Sequence, residues 1–272
     1  MNYRHSFHAG NFADLVKHAL VLWLLERRQA SGPVTVIDTH AGAGLYDLTG
    51  DAARSREAEA GIARLMATEE RPPLIEALAA EVAAMNPDGG VTFYPGSPLL
   101  MARHLGQQDR YVGYELNPPV LEMLTEALAP FGATEGRGGD GFDQAVAEAK
   151  RTPGPLVLID PPFEKPDDYH RAGDTGAAIV RADARATVAI WTPLKDMETF
   201  DGFLRRLDQG GARRVLVAEA RLRPLTNPMK MNGCAMVVVN PPGGTEAAAR
   251  EICGWVVDTL GETGAKSEVW MM

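Results

Sequence analysis

The residues with the clearest chemical potential in this sequence are Asp160-Pro161-Pro162-Phe163, which directly follow the apolar residues 155–159. Proline has no backbone N–H and cannot continue a strand, so the chain should leave its sheet here with carbonyl oxygens available as acceptors. The Asp160 carboxylate and the Pro161 carbonyl could accept the two hydrogens of one exocyclic amino group, while Phe163 stacks on the ring that carries it. A simple strand-ending turn would explain the prolines, but not the acid and the aromatic residue beside them.

A second proline pair serves as an internal control. Asn240-Pro241-Pro242-Gly243 follows the apolar residues 234–239, but it has no aromatic residue and comes late in the chain. We interpret it as a structural exit from a strand, and residues 160–163 as the active copy.

A glycine-rich turn follows the first strand pattern. Residues 36–44 end in Gly42-Ala43-Gly44, and glycines let a backbone approach a bound ligand closely. A dinucleotide-binding fingerprint would need a third glycine at the start of a helix, and Leu45-Tyr46-Asp47-Leu48 follows instead. The loop alone is weak support for a nucleotide-type cofactor.

Two further acids end predicted strands. Glu115 lies where such folds hold ribose hydroxyls, although the usual offset from the glycines is only ~20 residues. Asp140, in Gly139-Asp140-Gly141-Phe142, could accept hydrogen bonds from an adenine amino group while the aromatic residue packs on the ring. A generic strand-end acid and an ordinary turn are the alternatives when each is taken alone.

Taken together, these residues resemble a class I S-adenosylmethionine-dependent methyltransferase. A sulfonium cofactor favours an acid-rich cleft over the phosphate-binding amides of a dehydrogenase. The residues that follow the order of this class are Asp38, Gly42, Gly44, Glu115, Asp140 and Asp160.

The surrounding elements fit the same class. Apolar runs predict strands buried on both faces, as in a parallel sheet, at residues 34–38, 110–115, 156–160, 187–191, 214–219 and 234–240. Helical patterns occur at residues 11–28, 119–128, 141–150, 196–207 and 245–260. We therefore predict an α/β fold with a Rossmann-like, doubly wound sheet of seven strands and ligands at the strands' carboxyl ends.

Residues 51 to about 95 interrupt this alternation. Helical patterns at 57–67 and 73–85 have apolar stripes but too little core to stand alone. We predict a helical insertion subdomain at residues 51–94, docked on a methyltransferase domain formed by residues 1–50 and 95–272. It should help to grip RNA through Arg54, Arg56 and Arg64, or else act as a stabilising flap.

Composition limits the partner and the compartment. The net charge of −9 counts against binding nucleic acid by bulk attraction, but it permits one basic face. No apolar stretch approaches the ~18 residues of a membrane helix, and no secretory signal is evident. Cys234 and Cys253 lack metal-ligand spacing. We expect a cytoplasmic protein with no metal and no membrane partner.

The amino terminus narrows the class to a family. Residues 3–14, together with Lys17-His18, resemble the opening of the ribosomal RNA large subunit methyltransferase J family, and residues 38–44, 94–98, 140–142, 160–163 and 240–242 match it in order. The resemblance implies N6-methylation of an adenine in 23S rRNA, with Asp160 as the catalytic acid–base residue. With the glycine loop, it implies S-adenosylmethionine binding by His18, His40, Gly42, Ser97, Glu115, Asp140, Gly141 and Asp160.

The predicted catalytic residues are Asp160, Pro161 and Phe163. The family motif commonly ends in Tyr, so Phe163 keeps the stacking ring but lacks the hydroxyl. Tyr3 and Arg4 are predicted to close over the site. The expected partner is 23S rRNA, free or early in ribosome assembly, and the expected state is a monomer. The alternatives are guanine-N2 methylation in rRNA, adenine-N6 methylation in DNA, a nucleotide-dependent oxidoreductase, and a non-catalytic RNA-binding protein.

Overall fold

The computed structural model describes residues 8–49, 56–165, 167–226 and 231–272. Its strands are β1 (Thr35–Asp38), β2 (Leu45–Asp47), β3 (Phe93–Pro95), β4 (Arg110–Glu115), β5 (Thr134–Gly138), β6 (Leu156–Ile159), β7 (Thr187–Leu194), β8 (Val215–Arg221), β9 (Gly233–Val239) and β10 (Lys266–Met271). Its helices are α1 (Phe12–Gln29), α2 (Arg64–Ala67), α3 (Pro73–Met85), α4 (Ser97–Arg103), α5 (Pro118–Leu128), α6 (Gly141–Ala149), α7 (Asp168–Ala182), α8 (Met197–Gln209) and α9 (Thr245–Leu260).

The predicted α/β fold is confirmed, but the prediction of seven strands is wrong. The central sheet has eight strands in the order β10-β8-β9-β7-β6-β1-β4-β5. The additional strand, β10, lies at one edge and pairs antiparallel with β8. Most of its residues are at least partly exposed, so it lacks the continuous apolar run that marks a strand covered on both faces.

The direction of β9 also differs from the prediction. Its apolar run suggested a parallel strand, yet β9 pairs antiparallel with both β7 and β8. Alternate residues of β9 point into the two apolar cores on either side of the sheet, Met236 into one and Val237 into the other. A continuous apolar run therefore reports burial on both faces and says nothing about strand direction.

Helices cover both faces of the sheet. One core contains residues of α1, α4, α5 and α9, and the other contains residues of α6, α7 and α8. The predicted boundaries agree with the observed helices to within about two residues where caps mark them. The side chains of Asn11, Asp140 and Asp196 accept hydrogen bonds from the first-turn amides of α1, α6 and α8, which is the usual function of such caps. Helix α7 was not predicted from the sequence.

We call residues 56–92, between β2 and β3, the insertion. Antiparallel pairing of β2 with β3 brings its two ends together. A π-helical turn, Glu59–Ala63, runs into α2, and α3 follows. Apolar residues of α3 join the core under α1, so the insertion docks on the main body as predicted. The subdomain limits of 51 and 94 remain a prediction, and Arg54 lies outside the described residues.

Within the described ranges, none of the helices combines the length and the apolarity needed to cross a bilayer.

Candidate active site

The carboxyl ends of three neighbouring strands form the candidate site. β6, β1 and β4 are adjacent and parallel, so Asp160, Asp38 and Glu115 meet at one edge of the sheet, the usual ligand edge of such folds. Two cavities open along this edge, and His40 lines both of them.

The first cavity contains an ion-pair cluster at its floor. Lys17 Nζ lies 2.6 Å from Asp160 Oδ2 and 2.7 Å from Asp14 Oδ1. The Lys17 side chain is 11% exposed, and the two carboxylates are each 17% exposed. Asp160 Oδ1 has no hydrogen bond to any described residue, so the cluster leaves one acceptor oxygen for a ligand.

Burial and charge set the protonation of this cluster. Burial disfavours the Lys17 ammonium, but the carboxylates of Asp14 and Asp160 outweigh burial and raise the pKa of Lys17 well above its usual range. Burial also raises the pKa of Asp160, and Lys17 offsets only part of that rise. Asp14 behaves in the opposite way: burial raises its pKa, but Lys17, His18 and the Gly10 amide together outweigh burial and lower it. Asp160 is therefore the more readily protonated of the two acids.

Two further polar side chains of the first cavity are His18 and Ser97. His18 Nδ1 is hydrogen-bonded to Tyr94 Oη at 2.7 Å, and burial lowers the pKa of His18 to about 3. Ser97 Oγ donates to Asp38 Oδ2 at 2.8 Å. Burial raises the pKa of Asp38 to about 6, and the nearby Asp160 adds to the rise. The predicted ligands His18, His40, Ser97 and Asp160 thus line one cavity, with His18 as a neutral imidazole.

Glu115 lies in the second cavity and is fixed by backbone amides. Its Oε2 accepts from the Gly42 N–H at 3.1 Å, and its Oε1 accepts from the Asn117 N–H at 2.8 Å. The residue is 8% exposed. Gly42 and Gly44 have positive φ values of 66° and 81°, so glycine suits both positions. The chain after Gly44 enters β2, and no helix N-terminus is present there to receive a pyrophosphate.

Asp140 and Gly141 lie at the other end of this cavity. Asp140 Oδ1 accepts from the Phe142 N–H at 3.1 Å, and Oδ2 accepts from Arg171 Nη2 at 2.8 Å. The Arg171 guanidinium lies over the Phe142 ring, 4.4 Å from its centroid. A Cβ on Gly141 would lie 1.7 Å from the Thr39 carbonyl oxygen, so only glycine permits this approach of α6 to the end of β1.

Phe163 is not exposed to either cavity in this conformation. It is 5% exposed and has a positive φ of 50°. Its ring packs 4.6 Å from that of Tyr169 and 5.6 Å from that of Trp191, between centroids. The large aromatic rings among the described residues that line the first cavity are those of Tyr46 and Trp191. Stacking of Phe163 on a substrate base, and acceptance by the Pro161 carbonyl, remain predictions.

Contact of Lys17 with Asp160 was not predicted from the sequence. His18 was predicted as a cofactor ligand, whereas Asp14 and Lys17 entered only through the family resemblance of the amino-terminal residues. In the structure, Lys17 and His18 are buried, as are most residues of α1. An acid followed at three and four residues by Lys and His, on a helix that is otherwise apolar, is the signal that could have indicated them.

The second proline pair lies at the opposite end of the sheet from the carboxyl ends of β6, β1 and β4. Because β9 runs antiparallel to β7, Asn240 follows its end near the start of β7. Asn240 Nδ2 donates to the carbonyls of Ala184 and Ala186 at 3.1 and 3.0 Å. The strand exit is therefore confirmed, and its purely structural role stays a prediction.

Two of the arginines predicted to contact RNA already have protein partners. Arg56 Nε lies 2.9 Å from Glu59 Oε2, and Arg64 Nη2 donates to the Thr259 carbonyl at 2.5 Å. RNA contact by the insertion remains a prediction.

No group of three or more His, Cys, Asp or Glu side chains in the described part of the chain could hold a metal ion.

Known proteins resemble this chain over its whole length. The family model described as Ribosomal RNA large subunit methyltransferase D, RlmJ, matches residues 31–272. Two proteins named Ribosomal RNA large subunit methyltransferase J are each 32% identical: that of Escherichia coli K12, over 100% of this chain and 99% of its own, and that of Haemophilus influenzae, over 98% and 96%. The crystal structure of protein LPL1258 from Legionella pneumophila shares the fold, with a TM-score of 0.86, 23% identity and coverage of 97% of this chain and 98% of its own.

Proposed function

Because the chain belongs to the ribosomal RNA large subunit methyltransferase J family, we propose that it transfers a methyl group from S-adenosylmethionine to N6 of an adenine in 23S rRNA. The observation that carries the proposal is the buried Lys17–Asp160 pair at the ligand edge of the sheet. It keeps a carboxylate in place and leaves Asp160 Oδ1 available to accept from an amino group.

The residues along the edge suit S-adenosylmethionine better than a dinucleotide. The Gly42 amide, which would face a phosphate in a dinucleotide site, already donates to the Glu115 carboxylate. Glu115 would accept from the ribose hydroxyls, and Asp140 from the adenine amino group. His18, His40 and Ser97 would surround the methionine end. When bound, S-adenosylmethionine supplies an electrophilic methyl group on a positively charged sulfur.

The chemistry assigned to Asp160 follows from its free oxygen. The lone pair of an adenine N6 amine is delocalised into the ring, so the amine is a poor nucleophile. Acceptance of its hydrogens by Asp160 Oδ1 and the Pro161 carbonyl would orient it and stabilise positive charge as it develops on nitrogen. Lys17 would hold the carboxylate and keep it ionised. Asp160 or solvent would then take the proton that the methylated amine releases.

A base taken out of its stack needs an aromatic surface. Phe163 fills this role only if its ring moves away from Tyr169 and Trp191. We propose that such a rearrangement accompanies RNA binding. The predicted closure by Tyr3 and Arg4 concerns residues outside the described ranges.

The test is mass spectrometry of nucleosides from unmodified 23S rRNA after incubation with the protein and methyl-labelled cofactor. We expect label in N6-methyladenosine, and labelling that is slower by ~10²–10⁴ with Asp160→Ala. Label in N2-methylguanosine would show that guanine is the target. If a DNA substrate is offered in parallel, label in the DNA but not in the RNA would show that DNA is the substrate. Calorimetric titration with S-adenosylmethionine and with NAD separates a methyltransferase from an oxidoreductase. Cofactor binding without transfer to any nucleic acid would favour a non-catalytic RNA-binding protein.

The partner and setting form part of the same proposal. We propose that a monomer acts in the cytoplasm on 23S rRNA that is free or early in ribosome assembly. Comparison of protein-free 23S rRNA with mature large subunits as methyl acceptors tests the stage. Size-exclusion chromatography with light scattering tests the monomer.

A further inference from the structure

The insertion contacts the wall of the first cavity through one carboxylate. Glu57 accepts from His8 Nδ1, with distances of 2.9 and 3.0 Å to its two oxygens, and from Asn11 Nδ2 at 3.1 Å. His8 and Asn11 both line the cavity that contains Lys17 and Asp160. Glu57 lies 46 positions after Asn11 in the sequence. It therefore links the insertion to the candidate catalytic cavity.

A backbone contact lies beside this carboxylate. The Ile62 N–H, in the π-helical turn, donates to the Gly10 carbonyl at 2.8 Å. A Cβ on Gly61 would lie 2.2 Å from that same oxygen, and a Cβ on Gly10 would lie 2.7 Å from Ile62 Cγ2. Gly10 also has a positive φ of 78°. Two glycines thus permit the insertion and the start of α1 to touch backbone to backbone.

Hydrogen bonds continue from this contact to the catalytic acid. The Gly10 N–H donates to Asp14 Oδ2 at 2.9 Å, and Asp14 Oδ1 lies 2.7 Å from Lys17 Nζ. Lys17 in turn holds Asp160. Asn11 Oδ1 accepts from the Ala13 and Asp14 amides at 2.9 and 3.0 Å. The Asn11 amide is thereby oriented, with its oxygen on the helix and its nitrogen on Glu57.

We propose that the insertion is a positioning element for methyl transfer, with Glu57 and Gly61 as the residues through which it holds the Gly10–Asp14–Lys17–Asp160 series in place. Glu57 is a positioning residue, since it acts through His8 and Asn11 and does not contact the acid itself. This inference rests on the proposed function for its catalytic consequence. The physical contact that it describes can be measured separately.

The proposal differs from the two earlier expectations for the insertion in what it predicts. A segment that grips RNA should change the KM for RNA. A stabilising flap should change the melting temperature and kcat together. A positioning element should change kcat more than the KM for S-adenosylmethionine, because the series includes Asp160 but not Glu115 and Asp140 in the second cavity. The melting temperature should remain nearly constant.

The first variant is Glu57→Ala, which removes the acceptor from two partly buried donors. We expect kcat to fall about tenfold, as for the loss of one hydrogen bond to a charged group. The melting temperature should change by no more than ~4 °C. Glu57→Gln keeps the shape and one acceptor oxygen, so it should recover only part of the rate, whereas a purely steric role would predict full recovery.

The second variant is Gly61→Ala, with Gly254→Ala as its matched control. A Cβ on Gly61 collides with the Gly10 carbonyl, whereas a Cβ on Gly254, in the interior of α9, has no atom within 4 Å among the described residues. We expect Gly61→Ala to lower kcat at least as much as Glu57→Ala, and Gly254→Ala to leave it unchanged.

Hydrogen exchange of the peptide that covers residues 8–18 completes the test. Exchange should become faster in Glu57→Ala and Gly61→Ala and remain as in the wild type in Gly254→Ala. Unchanged exchange in the first two variants overturns the proposed contact, even if the wild type methylates no RNA. Faster exchange with an unchanged kcat in an active enzyme overturns the positioning role. A wild type that methylates no adenine contradicts the proposed function alone.

Discussion

Two proline pairs in this chain follow buried strands but lie in different chemical environments. Both follow an apolar strand, and each includes a residue with positive φ, Phe163 at 50° and Asn240 at 53°. β6 runs parallel to β1, so Asp160 reaches the ligand edge of the sheet. β9 runs antiparallel to β7, so Asn240 reaches the other edge. A similar sequence serves a site in one place and a turn in the other, because strand direction decides which end of the sheet the motif reaches.

The two motifs also differ in which of their polar groups stay available to hydrogen-bond a ligand. Asn240 uses its side-chain nitrogen on two carbonyls, and its own carbonyl accepts from Thr187 Oγ1. Asp160 has one oxygen on Lys17, and no described residue donates a hydrogen bond to the other. A motif whose polar groups bond mainly within the protein stabilises the fold, whereas one with an unused acceptor in a cavity can bind a ligand.

The largest expected effect concerns the acid of the first motif. Asp160→Ala should lower the methyl-transfer rate by ~10²–10⁴, the usual contribution of a positioned polar catalyst. Cofactor affinity should be largely retained, since Glu115 and Asp140 are unchanged. Single-turnover kinetics with calorimetry measures both quantities. Near-wild-type transfer by this variant would contradict the assigned chemistry.

Removal of the cation beside Asp160 should have the next largest effect. Lys17→Met keeps most of the volume but leaves Asp14 and Asp160 without their shared ammonium. Loss of a hydrogen bond to a charged group should lower the rate roughly 10–100-fold near neutral pH.

The pH profile of Lys17→Met provides a sharper test. Burial already raises the pKa of Asp160, and Lys17 opposes that rise. Without Lys17 the pKa should rise further, so the ionised fraction falls at any given acidic pH. The acid limb of the kcat profile should therefore move to higher pH. A limb that stays in place would show that Asp160 ionisation does not control the rate.

A third test uses another acid at the ligand edge. Glu115→Ala should weaken S-adenosylmethionine binding by about 1–3 kcal/mol, because it removes the expected acceptor for the ribose hydroxyls and frees the Gly42 amide. The rate at saturating cofactor should change less than the affinity. An unchanged dissociation constant in calorimetry would show that Glu115 only organises its own loop.

The smallest effect on chemistry is expected at the second proline pair. Asn240→Asp replaces a donor to two carbonyls with a carboxylate and should lower stability by about 1–3 kcal/mol. The values of kcat and KM should remain those of the wild type. Denaturant unfolding and steady-state kinetics measure the two quantities. A loss of rate without a loss of stability would mean that the second motif takes part in catalysis after all.

Much of the fold was predictable from local patterns. The apolar run of β4 and the helices capped by Asn11 and Asp140 appear where the sequence places them. The half-exposed β10 was missed, since only one face of it is covered. The direction of β9 was wrong because two buried faces give the same apolar run in either direction.

The sequence by itself determined the types of residue at the site: the acid and prolines at 160–162, the glycine loop, and the acids Glu115 and Asp140. The tertiary structure decided which edge of the sheet each one reaches, that Phe163 is buried, and that Lys17 contacts Asp160 across 143 positions of chain. Local sequence periodicity reports which faces of an element are buried. It carries no information about which distant charged residue will pair with a buried acid, because the two come into contact only when the helices pack on the sheet.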